Sequence, residues 1–113
     1  MSKRTPILLL EDILESARKI QEYTDKMSFS TFSEDIKTQD AVIRNFEIIG
    51  EATILLPEEI KTKYPEVDWY RIRGFRNRIV HDYFGVDLQI IWKIKQDQIP
   101  KLINEISRII SKS

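Results

Sequence analysis

With 113 residues, the chain is the size of one domain, 1–113, and leaves little room for a second. Hydrophobic residues at 42% against charged residues at 32% support a modest core and exclude a disordered chain. Eighteen basic and eighteen acidic side chains cancel, so global charge gives no reason to expect nucleic acid, and the lack of cysteine excludes disulfides, thiolate metal sites and a cysteine nucleophile.

Thr5-Pro6 opens the first helix with a hydroxyl at the cap and proline at the first helical position. Ile7, Leu10, Leu14, Ala17 and Ile20 recur at helical spacing, which predicts a helix over about 6–26. The apolar run Ile7–Leu10 is too short for a signal-peptide core, and Glu11 and Asp12 follow it at once. No apolar run approaches the ~18 residues of a membrane span. The expectation is a cytoplasmic protein with no membrane contact.

Residues 28–37 are rich in Ser and Thr and read as a loop that pins Phe29 and Phe32 onto the core. A second helix is expected over about 38–56, with Val42, Phe46 (or Asn45), Ile49, Ala52 and Leu56 inward. Gly50 inside it costs ~1 kcal/mol of helix stability, which close packing against another helix would justify. Pro57 starts a short helical turn that Tyr64-Pro65 ends. Asp68 caps a third helix, about 69–83, and Gly85 is its stop. Asp87 caps a last segment from Leu88 to Ile110, which Pro100 kinks or divides. No strand alternation is sustained. The fold class is therefore all-α, an antiparallel bundle of four to five helices.

The chemistry concentrates in the third helix. Arg71, Arg73, Arg76 and Arg78 fall close together, with no Asp or Glu between Trp69 and His81. At about 100° per residue, Ile72, Phe75 and Ile79 define the core face, with Arg76 at its edge, roughly 40° from Ile72. Tyr83 falls near that face if the helix lasts that far. Arg73, Asn77 and His81 follow at four-residue steps and form a polar row turned outward. A guanidinium suits phosphate oxygens, and an imidazole gives and takes protons near neutral pH. Together they match the needs of RNA phosphodiester cleavage without a metal: a base for the ribose 2′-hydroxyl and a cation for the phosphoryl oxygens. The plain alternative is a surface histidine beside a solvated arginine face. Against it, the arginines have no acid nearby in sequence, and Arg76 at the core edge calls for an anionic or polar partner.

The segment Arg76-Asn77-Arg78-Ile79-Val80-His81-Asp82-Tyr83 reads as Arg-x4-His-x-Tyr. It resembles the signature of HEPN domains, specifically HepT-type toxins paired with minimal nucleotidyltransferase antitoxins. Gly50-Glu51-Ala52, Trp69 and the chain length agree, so the resemblance covers essentially the whole chain. It implies a HEPN-like bundle that dimerises and acts as a metal-independent endoribonuclease with no cofactor. Arg76 and His81 would be the catalytic pair, with Asn77 and Arg73 supporting them. The cleft would form where two copies meet, supplying a second proton-transfer group to a chain with one histidine. Tyr83 would be the residue adenylylated by a nucleotidyltransferase-fold antitoxin, or simply an aromatic closing the core; the two roles are compatible. Glu51 would pair with an arginine or stand exposed. Trp69 and Tyr70 offer rings for stacking on RNA bases, with core or dimer packing the better fit for Trp69. Two other functions remain open. One is a non-catalytic HEPN module that binds nucleotide or RNA beside a nucleotidyltransferase. The other is a helical scaffold whose arginines make only subunit contacts.

Overall fold

The computed structural model describes residues 4–81 and 85–112, which form eight helical segments and one two-stranded ladder. Helix α1 (Pro6–Tyr23) starts where expected: the Thr5 hydroxyl accepts from the Leu8 amide at 3.3 Å. It stops short of residue 26: Thr24 is its C-cap, and Lys26 takes φ 62°, which a right-handed helix does not allow. Leu10, Ala17 and Ile20 are buried, and so are Leu9 and Ile13; Ile7 and Leu14 are only half-buried.

The expected loop over 28–37 contains a short helix instead, α2 (Phe29–Ser33). A reciprocal cap forms it: the Thr31 amide donates to Ser28 Oγ, and the Ser28 amide donates to Thr31 Oγ1. Phe32 is fully buried, its ring 5.2 Å from that of Trp92, while Phe29 meets Trp92 edge-on. Helix α3 (Ile36–Leu55) begins two residues before the expected start because Asp35 is its cap. The Asp35 carboxylate accepts from the Thr38 hydroxyl at 2.7 Å and the Thr38 amide at 3.0 Å, which holds it below the usual carboxylate range. The inward stripe is as expected, and Asn45 is buried beside Phe46, donating to the Ala41 carbonyl. Helix α1 packs against α3 and against the last helix, so the centre of the core lies among these three.

Helix α4 (Glu58–Lys63) follows Pro57 and leads to Tyr64. Trp69 is buried, and its indole N–H donates to the Tyr64 carbonyl at 3.0 Å, which ties this connection to the next helix. Asp68 caps that helix, accepting from the Arg71 amide at 3.0 Å.

The third helix is not continuous over 69–83. It consists of α5 (Trp69–Arg73) and α6 (Phe75–Ile79), joined at Gly74. The Gly74 amide is shared between the Tyr70 and Arg71 carbonyls, a tightened turn that breaks the regular repeat. After Ile79 the chain extends into β1 (Val80–His81), which pairs antiparallel with β2 (Gly85–Val86), Val80 opposite Val86 and His81 opposite Gly85. Gly85 therefore does not end a helix. It sits in the returning strand at φ 79°, a conformation that glycine adopts without strain. Asp87 caps α7 (Leu88–Asp97), and Pro100 lies in the first turn of α8 (Ile99–Ser111), dividing the last segment as expected. The architecture is an all-α bundle with, among the described residues, four helices of ten residues or more, α1, α3, α7 and α8. Among the described residues, no helix is long and apolar enough to cross a membrane.

Candidate functional site

Ile72, Phe75 and Ile79 are buried, as the helical spacing required, and they press α5 and α6 onto α3. Phe75 meets Phe46 of α3 edge-on at 5.6 Å. The approach is closest at Gly50, where an added Cβ would lie 3.3 Å from the Arg73 carbonyl oxygen. The glycine inside α3 is thus explained by backbone contact with the arginine-bearing helix.

Between α3 and the α5–α6 pair runs an open groove of about 860 Å³. Arg73, Arg76 and Asn77 all line it and are all exposed. Three of the expected site residues therefore share one surface. His81 lies in β1, two residues beyond the end of α6, and Tyr83 lies outside the described residues. The outward row Arg73-Asn77-His81 is not a continuous helical row. The repeat is broken at Gly74, and the backbone is extended by His81.

Two of the arginines also have carboxylate partners, one of them distant in sequence. Arg76 Nε lies 3.5 Å from Glu47 Oε2 on α3, with side-chain exposures of 50% and 32%. Arg71 pairs with Asp68 at 3.7 Å. Arg76 does have the anionic partner its position called for, contributed by this chain. Glu51 pairs with Arg44 at 3.9 Å, both ends exposed, and not with an arginine of α5 or α6. Such exposed pairs contribute about 0–1 kcal/mol each, so a phosphate can displace the carboxylate at Arg76. Among the described residues, Arg73 and Arg78 have no carboxylate within 4.0 Å. Glu47 was missed in the sequence; its signal was its place three residues before Gly50, on the α3 face that meets α5. Trp69 belongs to the core, but Tyr70 stands in the groove.

Residues 13–109 match the family model described as ribonuclease HepT-like. A Methanocaldococcus jannaschii protein with a provisional RNase name is 44% identical over 110 residues, 97% of this chain and 91% of the relative. The protein of Thermococcus cleftensis named "Probable ribonuclease HepT" is 40% identical over 107 residues, 95% of this chain and 97% of the relative. A Caldanaerobacter subterraneus protein, also provisionally named an RNase, is 38% identical over 109 residues, 96% and 97% of the two chains. No solved structure matches.

Proposed function

The chain belongs to the HepT-like ribonuclease family, and from that premise we propose that it is a metal-independent endoribonuclease, the toxin of a cytoplasmic toxin–antitoxin pair. Arg76 and His81 are the catalytic residues, and two copies of the chain meet to complete the cleft. The observation that carries the reading is the groove beside α3, where Arg76 stands half-exposed with Arg73 and Asn77. A weakly held guanidinium, a second without a carboxylate partner and a neutral amide suit a phosphodiester better than a fully neutralised surface would.

The chemistry follows from those groups. One imidazole takes the proton of a ribose 2′-hydroxyl. The freed oxygen forms a bond to the adjacent phosphorus as the bond from phosphorus to the 5′-oxygen breaks. The second copy's imidazole returns a proton to the leaving oxygen. Arg76 and Arg73 hold the non-bridging oxygens as their charge grows, and Asn77 donates to the same anion. The products are a 2′,3′-cyclic phosphate and a 5′-hydroxyl.

Control falls to Tyr83. A nucleotidyltransferase-fold antitoxin transfers AMP from ATP to the phenol oxygen and releases pyrophosphate. The added anion beside the motif then blocks RNA by bulk and by charge. Intact mass after co-expression with the antitoxin tests this: an AMP-sized increment is expected, and it is lost in Tyr83→Phe.

The cleavage reading is tested with purified protein and RNA in a chelator. Wild type cleaves, while Arg76→Ala and His81→Ala lose cleavage and keep their helical circular dichroism. Cleavage by either variant at the wild-type rate removes that residue from the site. RNA binding without cleavage by wild type under any condition favours the non-catalytic module.

A further inference from the structure

The first turn of α5 carries two adjacent aromatic residues with opposite fates. Trp69 is 8% exposed, with its indole N–H satisfied by the Tyr64 carbonyl. Tyr70 is 80% exposed and lines the groove that holds Arg76 and Asn77. Burial of Trp69 anchors the helix to the core, so packing does not account for the ring displayed next to it.

The neighbour of that ring is specific. The Arg73 guanidinium lies 5.5 Å from the Tyr70 ring centroid. Of the arginines in the groove, Arg71 and Arg76 face carboxylates, whereas Arg73 and Arg78 have none within 4.0 Å among the described residues, and of these two it is Arg73 that flanks the ring. The cation flanking the ring is therefore one in direct contact with no carboxylate, although Glu47, Glu51 and Asp68 line the same groove. Ile54 of α3, 59% exposed, adds apolar surface to the same groove.

An exposed aromatic face beside a guanidinium free of any carboxylate contact suits one kind of ligand in particular. A nucleobase offers a π-face to the ring, and the phosphate attached to it offers an anion to the guanidinium. Such a base must be unstacked and unpaired, as in a loop or a single strand. We propose that Tyr70 is a base platform: it stacks on an unpaired base of the RNA strand while Arg73 holds that nucleotide's phosphate. The platform rests on the ribonuclease reading and deepens it, because it makes single-stranded RNA the substrate class. It also makes Tyr70 a binding residue that sets where the strand lies relative to Arg76.

The test uses the full chain and a single-stranded RNA oligonucleotide. Its ribose 2′-hydroxyls are methylated so that it cannot be cut, and one base is replaced by fluorescent 2-aminopurine. Wild type and Tyr70→Phe should bind it and quench the probe. Tyr70→Leu should lose the quenching and bind about five- to 150-fold more weakly, the range found when a base loses its aromatic partner. On cleavable RNA, the loss in Tyr70→Leu should appear mainly as a raised KM. Wild-type affinity and quenching in Tyr70→Leu would overturn the platform, as would failure of wild type to bind. A change in sedimentation with unchanged RNA affinity would assign the ring to a protein contact instead. If a nucleoside monophosphate binds as tightly as the oligonucleotide, the strand assignment fails. If binding depends on Tyr70 but wild type cuts no RNA, the platform stands and the ribonuclease reading falls.

Discussion

Replacing Gly50 by alanine sets two effects of similar size against each other. Alanine in a helix interior is favoured over glycine by about 0.8–1.0 kcal/mol. At this position the new Cβ meets the Arg73 carbonyl at 3.3 Å, so that backbone must give by a few tenths of an ångström. Overpacking costs about 1–3 kcal/mol, and the lower end applies because the carbonyl belongs to the last residue of α5, directly before the turn at Gly74. The expected net change in Gly50→Ala is thus close to zero, within about 0.5 kcal/mol, read by urea denaturation. Gly50→Val adds methyl groups against the same carbonyl and should lose at least about 2 kcal/mol. Cleavage by Gly50→Ala should fall by more than its stability does, since the displaced element carries Arg73 and leads into Arg76. A full gain near 1 kcal/mol with unchanged cleavage would show that α3 and α5 do not approach closely here. A loss above about 3 kcal/mol would show that the Gly74 junction cannot yield.

Three further changes test the packing and the titrating groups. Trp69→Phe removes the hydrogen bond to the Tyr64 carbonyl and leaves a smaller ring in a buried place, so a loss of about 2 kcal/mol is expected by thermal or chemical denaturation. Burial pushes the Glu105 carboxyl above its usual range, so its stabilising contribution is full below the unfolded-state value and disappears as pH rises through the folded one. Glu105→Gln should therefore raise the melting midpoint at pH 7, and the advantage should close below the ordinary carboxylate range. Asp35 runs the other way: hydrogen bonds from Thr38 lower its value, so its contribution is present above the unfolded-state value and is lost as pH falls through the folded one. Asp35→Asn should flatten the acid limb of the stability curve.

Local signals were legible wherever a residue acts on its own turn of chain. Thr5, Asp68 and Asp87 each accept an amide three residues on, as their positions suggested. The stripe from Val42 to Leu56 is buried throughout. Ser28 and Thr31 form a cap that composition alone made look like a loop. Around Leu8-Leu9-Leu10 three consecutive leucines left the buried face of α1 ambiguous, and Leu9 was missed.

The largest difference lies at the site. Ile72, Phe75 and Ile79 fit one helical repeat so well that extending it to Tyr83 was natural. Extended backbone at Val80 and His81, paired across to Val86 and Gly85, ends it at Ile79. Glu47 lies on a different helix from Arg76, and the packing of α3 against α6, with Phe46 on Phe75, brings the two together. No local spacing encodes that pair, so an arginine that looked unpartnered in sequence has a carboxylate beside it in the fold.

If this chain cuts RNA by acid–base chemistry, with the 2′-hydroxyl as nucleophile, the new strand ends carry the signature. The most direct measurement is the chemistry of the new ends, read by mass spectrometry after cleavage in a chelator. A 2′,3′-cyclic phosphate and a 5′-hydroxyl are predicted, with cleavage lost when the ribose at the scissile position lacks its 2′-hydroxyl. Products ending in a 5′-phosphate and a 3′-hydroxyl, or cleavage of the deoxy-substituted strand at the same bond, would contradict the account.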